Sequence, residues 1–315
     1  MKRLRPYIAA AILLVFLFVA PAFLSTYLLG LLILTLIYGI FTMSLNILTG
    51  YAGLPSLGHA MFFGVSAYTV GILDVEMSTN LGLELIAGLS AAVVIGAGFG
   101  LLTVRSKGIS FVMITLALSM VLWGLATNLA GLTGGTDGLS GVSRPDMSLI
   151  LLDLEETRHF YYFVLGFFFF SALLMYLIMR SPFGYALLGI RESETRMSSL
   201  GYNVWGYKYM SFIVSGVFAG LAGILFAYYN GFVHPSDLGI ETSAKVLFML
   251  ILGGAGTLYG PLMGACAIVL MENYISAYSE RWPMILGTIY VLVVLFAPDG
   301  VYDPIRRFIR RFVRI

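Results

Sequence analysis

The chain has 315 residues, of which 59% are hydrophobic and only 11% charged, and its mean hydropathy is +0.94. Soluble domains carry about 25% charged residues, so this composition excludes a water-soluble globular domain and predicts an all-α, polytopic membrane bundle. A net charge of +2 gives no reason to expect a nucleic-acid partner. The single cysteine, Cys266, excludes an internal disulfide and reads as a small packing residue.

A hydrocarbon core about 30 Å thick takes about 20 apolar residues per helix. In chain order the sequence offers ten segments: 7–24, 27–48, 59–73, 85–104, 110–131, 160–179, 209–230, 242–252, 261–277 and 282–297. The first, "MKRLRPYIAAAILLVFLFVAPA", also has the layout of a secretory signal peptide; its long apolar run favours a retained first helix. The third and eighth look too short to span as ideal helices. Cytoplasmic loops collect Lys and Arg, and alternating sides from an inner N-terminus places 14 of the 18 basic residues inside. These are Lys2, Arg3, Arg5, Arg105, Lys107, Arg180, Arg191, Arg196, Lys208 and five arginines of the tail at 298–315. Only Arg144, Arg158, Lys245 and Arg281 fall outside or near the outer face. Ten crossings of one transmembrane domain, with both termini cytoplasmic, satisfy this distribution.

Two faces of small residues recur at steps of four: Gly88, Ala92, Gly96 and Gly100 in the fourth segment, then Gly216 with Gly220 and Ala219 with Gly223 and Ala227 in the seventh. Such spacing lets helices approach closely in lipid, as static packing or as surfaces that slide. Two connections are long. Residues 132–159 form an outer loop that opens with Gly/Asp/Ser turn chemistry and ends acidic. Residues 180–208 form an inner loop, in which Ser193 or Thr195 can cap a short helix with Glu194 in its first turn. With Arg191, Glu192 and Arg196, and a turn at Leu200 and Gly201, this loop is either a docking surface for a soluble partner or a solvated helix with basic anchors.

The passage "LTGYAGLPSLGHAMFFGVSAY" interrupts the apolar text at Gly50, Gly53, Ser56, Gly58 and His59. A second passage, "LGGAGTLYGPLMGA", does the same at Gly253, Gly254 and Gly256. Irregular backbone at membrane depth survives only where protein or water satisfies it, and paired glycine interruptions point to a transport path. We therefore expect these eight residues to line or gate a protein-buried route.

No phosphate-loop motif G-x-x-x-x-G-K-[ST] occurs, nor H-E-x-x-H, nor a Cys/His ligand cluster. His59, His159 and His234 are far apart in sequence, and no catalytic or metal-ligating set is assigned. His59 reads as a packed or hydrogen-bonded histidine rather than a proton carrier. Glu272 reads as an interfacial anchor, with a pathway or inter-helix role as the alternative. Sparse ionisable residues in the segments argue against a proton or sodium pump.

The motifs "SLNILTGYAGLPSLGHAMFFGVSAY", "GLTGGTDGL", "SPFGYALLGIRESETRMSSLGYNVWGYKYMSFIVSGVFAGLAGILFA" and "LGGAGTLYGPLMGA" stand in an order that resembles the membrane permeases of branched-chain amino-acid ABC importers, of the LivM type, over roughly residues 40–300. The resemblance implies a subunit of a bacterial inner-membrane importer with no nucleotide site of its own. Its implied partners are a second homologous permease, two cytoplasmic ATPases that hold ATP and Mg, and a periplasmic binding protein. It implies Leu, Ile and Val as substrates, with urea or short amides in close relatives. It makes Arg191, Glu192, Glu194, Arg196, Leu200 and Gly201 the ATPase-coupling surface. Thr133, Gly134, Gly135, Asp137 and Gly138 become the contact for the binding protein. Met197 stands where the family usually has a small residue, which bears on packing in the inner loop. The rival readings are a secondary transporter or channel without ATPases, and an intramembrane enzyme, for which no polar catalytic cluster is visible.

Overall fold

A computed structural model describes residues 17–77, 79–145, 154–257, 259–278 and 281–296. Helical residues 17–23 (α1) lead into α2 (Thr26–Asn46), a π-helical turn (Ile47–Tyr51), α3 (Ala60–Met77), α4 (Leu81–Thr103), α5 (Ile109–Asn128) and the short α6 (Ala130–Thr133). After strand β1 (Leu139–Ser140) come α7 (Thr157–Arg180), α8 (Pro182–Glu192), α9 (Glu194–Ser199) and α10 (Val204–Asn230). Strand β2 (Phe232–Val233) precedes α11 (Ile240–Gly253), α12 (Gly260–Tyr278) and α13 (Trp282–Phe296). The chain is an all-α, multi-pass membrane protein.

Among the described residues, six helices are long and apolar enough to cross a membrane, and they coincide with the second to seventh expected segments. The third was expected to be too short. It runs instead to Met77, 18 residues in all, because the helix continues past the end of its apolar run at Asp74. That carboxylate is satisfied there, accepting from the Ser143 amide at 2.6 Å and from its hydroxyl at 2.8 Å. The eighth segment is the 14-residue α11. Most of the first segment, the basic tail and both chain ends fall outside the described residues, as do residues 146–153 of the outer loop.

The centre of the bundle is α10, packed on α2, α3 and α4. The small-residue faces make this possible. The buried positions of α4 are Glu84, Gly88, Ala92, Gly96, Gly100 and Thr103, one stripe four residues apart for most of its length. Opposite them on α10, Gly220 sits against Ser66 and Ala92, and Gly216 against the Phe62 ring. In lipid, contact of this kind replaces the hydrophobic drive that assembles soluble cores. Polar groups on the same seam are paired: Ser66 donates to the Gly88 carbonyl at 2.8 Å, and buried Glu84 accepts from Tyr228 at 2.5 Å and Thr79 at 2.8 Å.

Where α10 meets α3, a Cβ on Gly223 would collide with the Phe63 carbonyl oxygen, whereas a Cβ on Gly124 meets nothing within 4 Å. Backbone cannot yield as a side-chain tip can, and overpacking costs about 1–3 kcal/mol or more. Gly223→Ala should therefore lower the melting temperature of the purified protein. Gly124→Ala, which gains helix propensity without a clash, should leave it unchanged or raise it.

Candidate functional site

The two glycine-interrupted passages meet. Helix α2 ends in a π-helical turn, a distortion common at functional sites, and Gly53 then takes φ +71° to turn the chain away. The second passage turns at Gly254 and Gly256, with φ +94° and +84°. Asn46, in the last turn of α2, clasps that backbone at both ends of its amide: Oδ1 accepts from the Gly256 amide at 2.8 Å, and Nδ2 donates to the Thr257 carbonyl at 2.8 Å. A Cβ on Gly50 would collide with the Asn46 amide and lie 2.6 Å from the Gly256 nitrogen. Only glycine at 50 allows the two strands of irregular chain to touch.

Arg191, the penultimate residue of α8, reaches into this seam. Its guanidinium donates to the Gly50 carbonyl. Its Cγ lies 2.9 Å from where a Gly53 Cβ would be, and its Nη1 lies 3.2 Å from where one on Gly256 would be. Thus Gly50, Gly53 and Gly256, expected to serve a path or gate, share one junction with Arg191, expected to serve coupling. Gly253 packs against the Gly260 carbonyl just beyond it, with a buried position and no room for a side chain.

Ser56, Gly58 and His59 lie on the other side of the first interruption, entering α3. A Cβ on Gly58 would collide with the Thr115 carbonyl of α5. His59 is fully buried, its Nε2 2.9 Å from the Ser44 hydroxyl and 3.4 Å from that of Ser215, and its ring stacks on Phe41 at 5.6 Å. It is a packed, hydrogen-bonded histidine. Ser56, also buried, accepts from the Gly58 amide at 3.3 Å.

Downstream of Arg191, Ser193 caps α9 by accepting from the Arg196 amide at 3.3 Å. Glu194, expected on the coupling surface, is half-buried and held by two lysines. It pairs with Lys107, at 2.6 Å, in the connection between α4 and α5, and with Lys208 of α10, whose side chain is 3% exposed. Two cations need one carboxylate, and Lys208 is too deep to be solvated; this is why Glu194 cannot point away. Met197 packs its sulfur over Gly189, so its bulk is accommodated by a missing side chain on α8. Of the residues expected to form the coupling surface, Arg191, Glu192, Arg196, Gly201 and Leu200 are exposed, the last by 68%.

Burial works to raise the Glu194 carboxyl, but hydrogen bonds and charge from Lys107 and Lys208 outweigh it and hold the group below its ordinary range. A carboxyl depressed on folding stabilises above its unfolded pKa and stops doing so as pH falls through its folded one. Docking of α9 should therefore hold from neutral pH to about pH 5 and loosen only below the ordinary Glu pKa of about 4.3. Amide exchange at residues 194–199, corrected for intrinsic rate, reads this directly. Glu194→Gln should exchange faster at neutral pH and lose the acid-dependent step.

At the opposite end, the expected binding-protein contact divides in two. Thr133 and Gly135 are buried, with the Thr133 hydroxyl donating to the Ala126 carbonyl at 2.6 Å. Gly134 and Gly138 take φ +72° and +75° to shape the turn that lets β1 pair with β2, Leu139 opposite Val233. Gly134 and Asp137 are exposed there. Glu272 is an inter-helix contact: it pairs with Lys245 of α11 at 2.5 Å. Among the described residues, no group of three or more His, Cys, Asp or Glu is placed to hold a metal ion.

Sequence reasoning missed Asn46, Thr257, Lys107 and Lys208. Asn46 alone left a signal, as a lone amide at the end of an apolar run directly before a glycine break.

Fold and site together define a polytopic helical membrane protein whose two broken passages close on each other under a helix pair outside the spans. The family model for the branched-chain amino acid transport system permease component matches residues 27–297, and the chain belongs to that family. It is 31% identical to the high-affinity branched-chain amino acid transport system permease protein LivM of Escherichia coli K12, over 85% of this chain and 68% of that protein. The LivM protein of Salmonella typhimurium is 30% identical over the same shares. The LivH permease of Escherichia coli K12 is also similar, 23% identical over 84% of this chain and 90% of that protein. No solved structure matches the chain.

Proposed function

We propose that the chain is the membrane-spanning permease subunit of an ATP-binding-cassette importer that carries branched-chain amino acids into the cell. The observation that carries this reading is the grip of Arg191, on α8, upon the seam between the two glycine interruptions. A subunit without a phosphate loop receives its work from elsewhere, and here the α8–α9 pair is joined by a charged hydrogen bond to the place where two spans break. Motion of that pair would load the seam directly. Similarity to both LivM and LivH supports assembly with a second, homologous permease. Two ATPases, holding ATP and Mg, dock on the exposed surface of α8 and α9 in this reading. A substrate-binding protein delivers to the end that bears Gly134 and Asp137, and the setting is the bacterial cytoplasmic membrane.

The test is co-expression of this permease with a second permease, ATPases and binding protein, then leucine uptake into vesicles. ATPases should co-purify with the permease, and uptake should stop when the phosphate-loop lysine of the ATPases is replaced. Uptake that persists without ATPases would identify a secondary transporter or channel. Transport of urea or short amides in place of leucine would keep the class and change the substrate.

A further inference from the structure

Lys245 and Glu272 form an ion pair between α11 and α12 that takes no part in the inner junction. They approach to 2.5 Å near the ends of α11 and α12 that the charge map places outermost, and each side chain remains about one-fifth exposed. Lys245 Nζ also stands 4.5 Å from the centre of the Tyr38 ring of α2. Tyr38, Lys245 and Glu272 form a wall shared by two cavities, of about 320 and 420 Å³. The smaller adds the amides of Asn230 and Asn273; the larger adds the apolar faces of Phe248 and Tyr290, whose rings stack at 4.2 Å. Both volumes lie in the range of about 300–1,000 Å³ typical of small-ligand sites.

We propose that Lys245 and Glu272 are a docking pair for an α-amino acid zwitterion within the permease itself. This rests on the amino-acid reading above and names residues for it. An ammonium and a carboxylate held side by side are the mirror of a zwitterion: the ligand's carboxylate takes Lys245, its ammonium takes Glu272, and its side chain lies against Phe248 and Tyr290. One ion pair opens and two form, so no net charge is buried at any stage. Breaking the pair without a ligand would leave an unpaired charge in a partly desolvated site, which is costly. A ligand with only one of the two charges leaves that defect in place. The exchange also keeps retention weak, as passage requires a site that can be entered and left.

The experiment uses the assembled importer in detergent, without its binding protein, carrying Cys266→Ser and a reporter, Ala244→Cys, in the wall of the larger cavity. Modification of the reporter by a small thiol reagent is timed. Millimolar L-leucine should slow it at least threefold, whereas 3-methylbutylamine and 4-methylpentanoate, which each keep one charge, should not. Adding Lys245→Met should abolish protection by leucine, and so should the nearly isosteric Glu272→Gln, which guards against a folding defect in the first variant. Undiminished protection in both variants, or equal protection by the singly charged analogues, would overturn the proposal. Absence of protection in an importer that still takes up leucine would overturn the site and leave the amino-acid reading standing. Absence of leucine uptake by the unaltered importer would sink both.

Discussion

Arg191→Ala should cut leucine uptake about tenfold or more while leaving the protein in the membrane at normal abundance. The guanidinium reaches both glycine interruptions from outside the spans, donating to the Gly50 carbonyl and lying beside Gly256. A hydrogen bond to a charged group is worth about 1.5–3 kcal/mol, and each 1.4 kcal/mol is a factor of ten in an equilibrium. The loss falls on the link between α8 and the seam, not on the helical core, so abundance is spared. Arg191→Lys should recover only part of the uptake, because a point-charge ammonium cannot reproduce a planar fork. Hydrolysis by the attached ATPases should continue in Arg191→Ala, separated from transport. Uptake and hydrolysis falling together, in step with complex loss, would mean that Arg191 holds the assembly together rather than transmitting motion.

The second large effect is at Gly50. Gly50→Val would drive a branched side chain into the Asn46 amide and the Gly256 backbone, forcing the two passages apart. Uptake should fall below about one-tenth of wild type. Gly53→Val and Gly256→Val should also lose most uptake, since both glycines hold φ values that a β-branched residue rarely adopts. The proper comparison is Gly98→Val, where a Cβ meets nothing within 4 Å. Gly71→Val is not neutral, because a Cβ there would press on Leu139 and Val142. Equal uptake in the Gly50 and Gly98 variants at equal abundance would remove the seam from the mechanism.

What was legible in the sequence was local. The stripe from Gly88 to Gly100 could be read because a helix repeats every 3.6 residues, and a step of four keeps one face. The breaks at Gly50 and Gly256 could be read because their neighbours leave no doubt that the apolar text stops. What could not be read was pairing across the fold. Asn46 and Gly256 are joined across 210 positions, and no periodicity records such a clasp. The partners of Glu194 were hidden for the same reason. On its own helix it is one of two charges, and only Lys107 and buried Lys208, arriving from other elements, fix its direction. Span length misled at the third segment, where the helix outlasts its hydrophobic run because Ser143, nearly seventy residues away, caps the charge at Asp74. The sequence places Glu272 near the outer end of a helix, but its partner Lys245 is assigned by packing alone.

The most direct test of the account is a lock on the seam. With Asn46→Cys and Thr257→Cys in a Cys266→Ser importer, oxidation should join the two passages, a bond identified by peptide mass. The account predicts that the oxidised importer neither takes up leucine nor couples hydrolysis to it, and that reduction restores both to the level of the unoxidised double variant. Undiminished uptake by fully cross-linked protein would show that the seam does not open during transport, and would contradict the account.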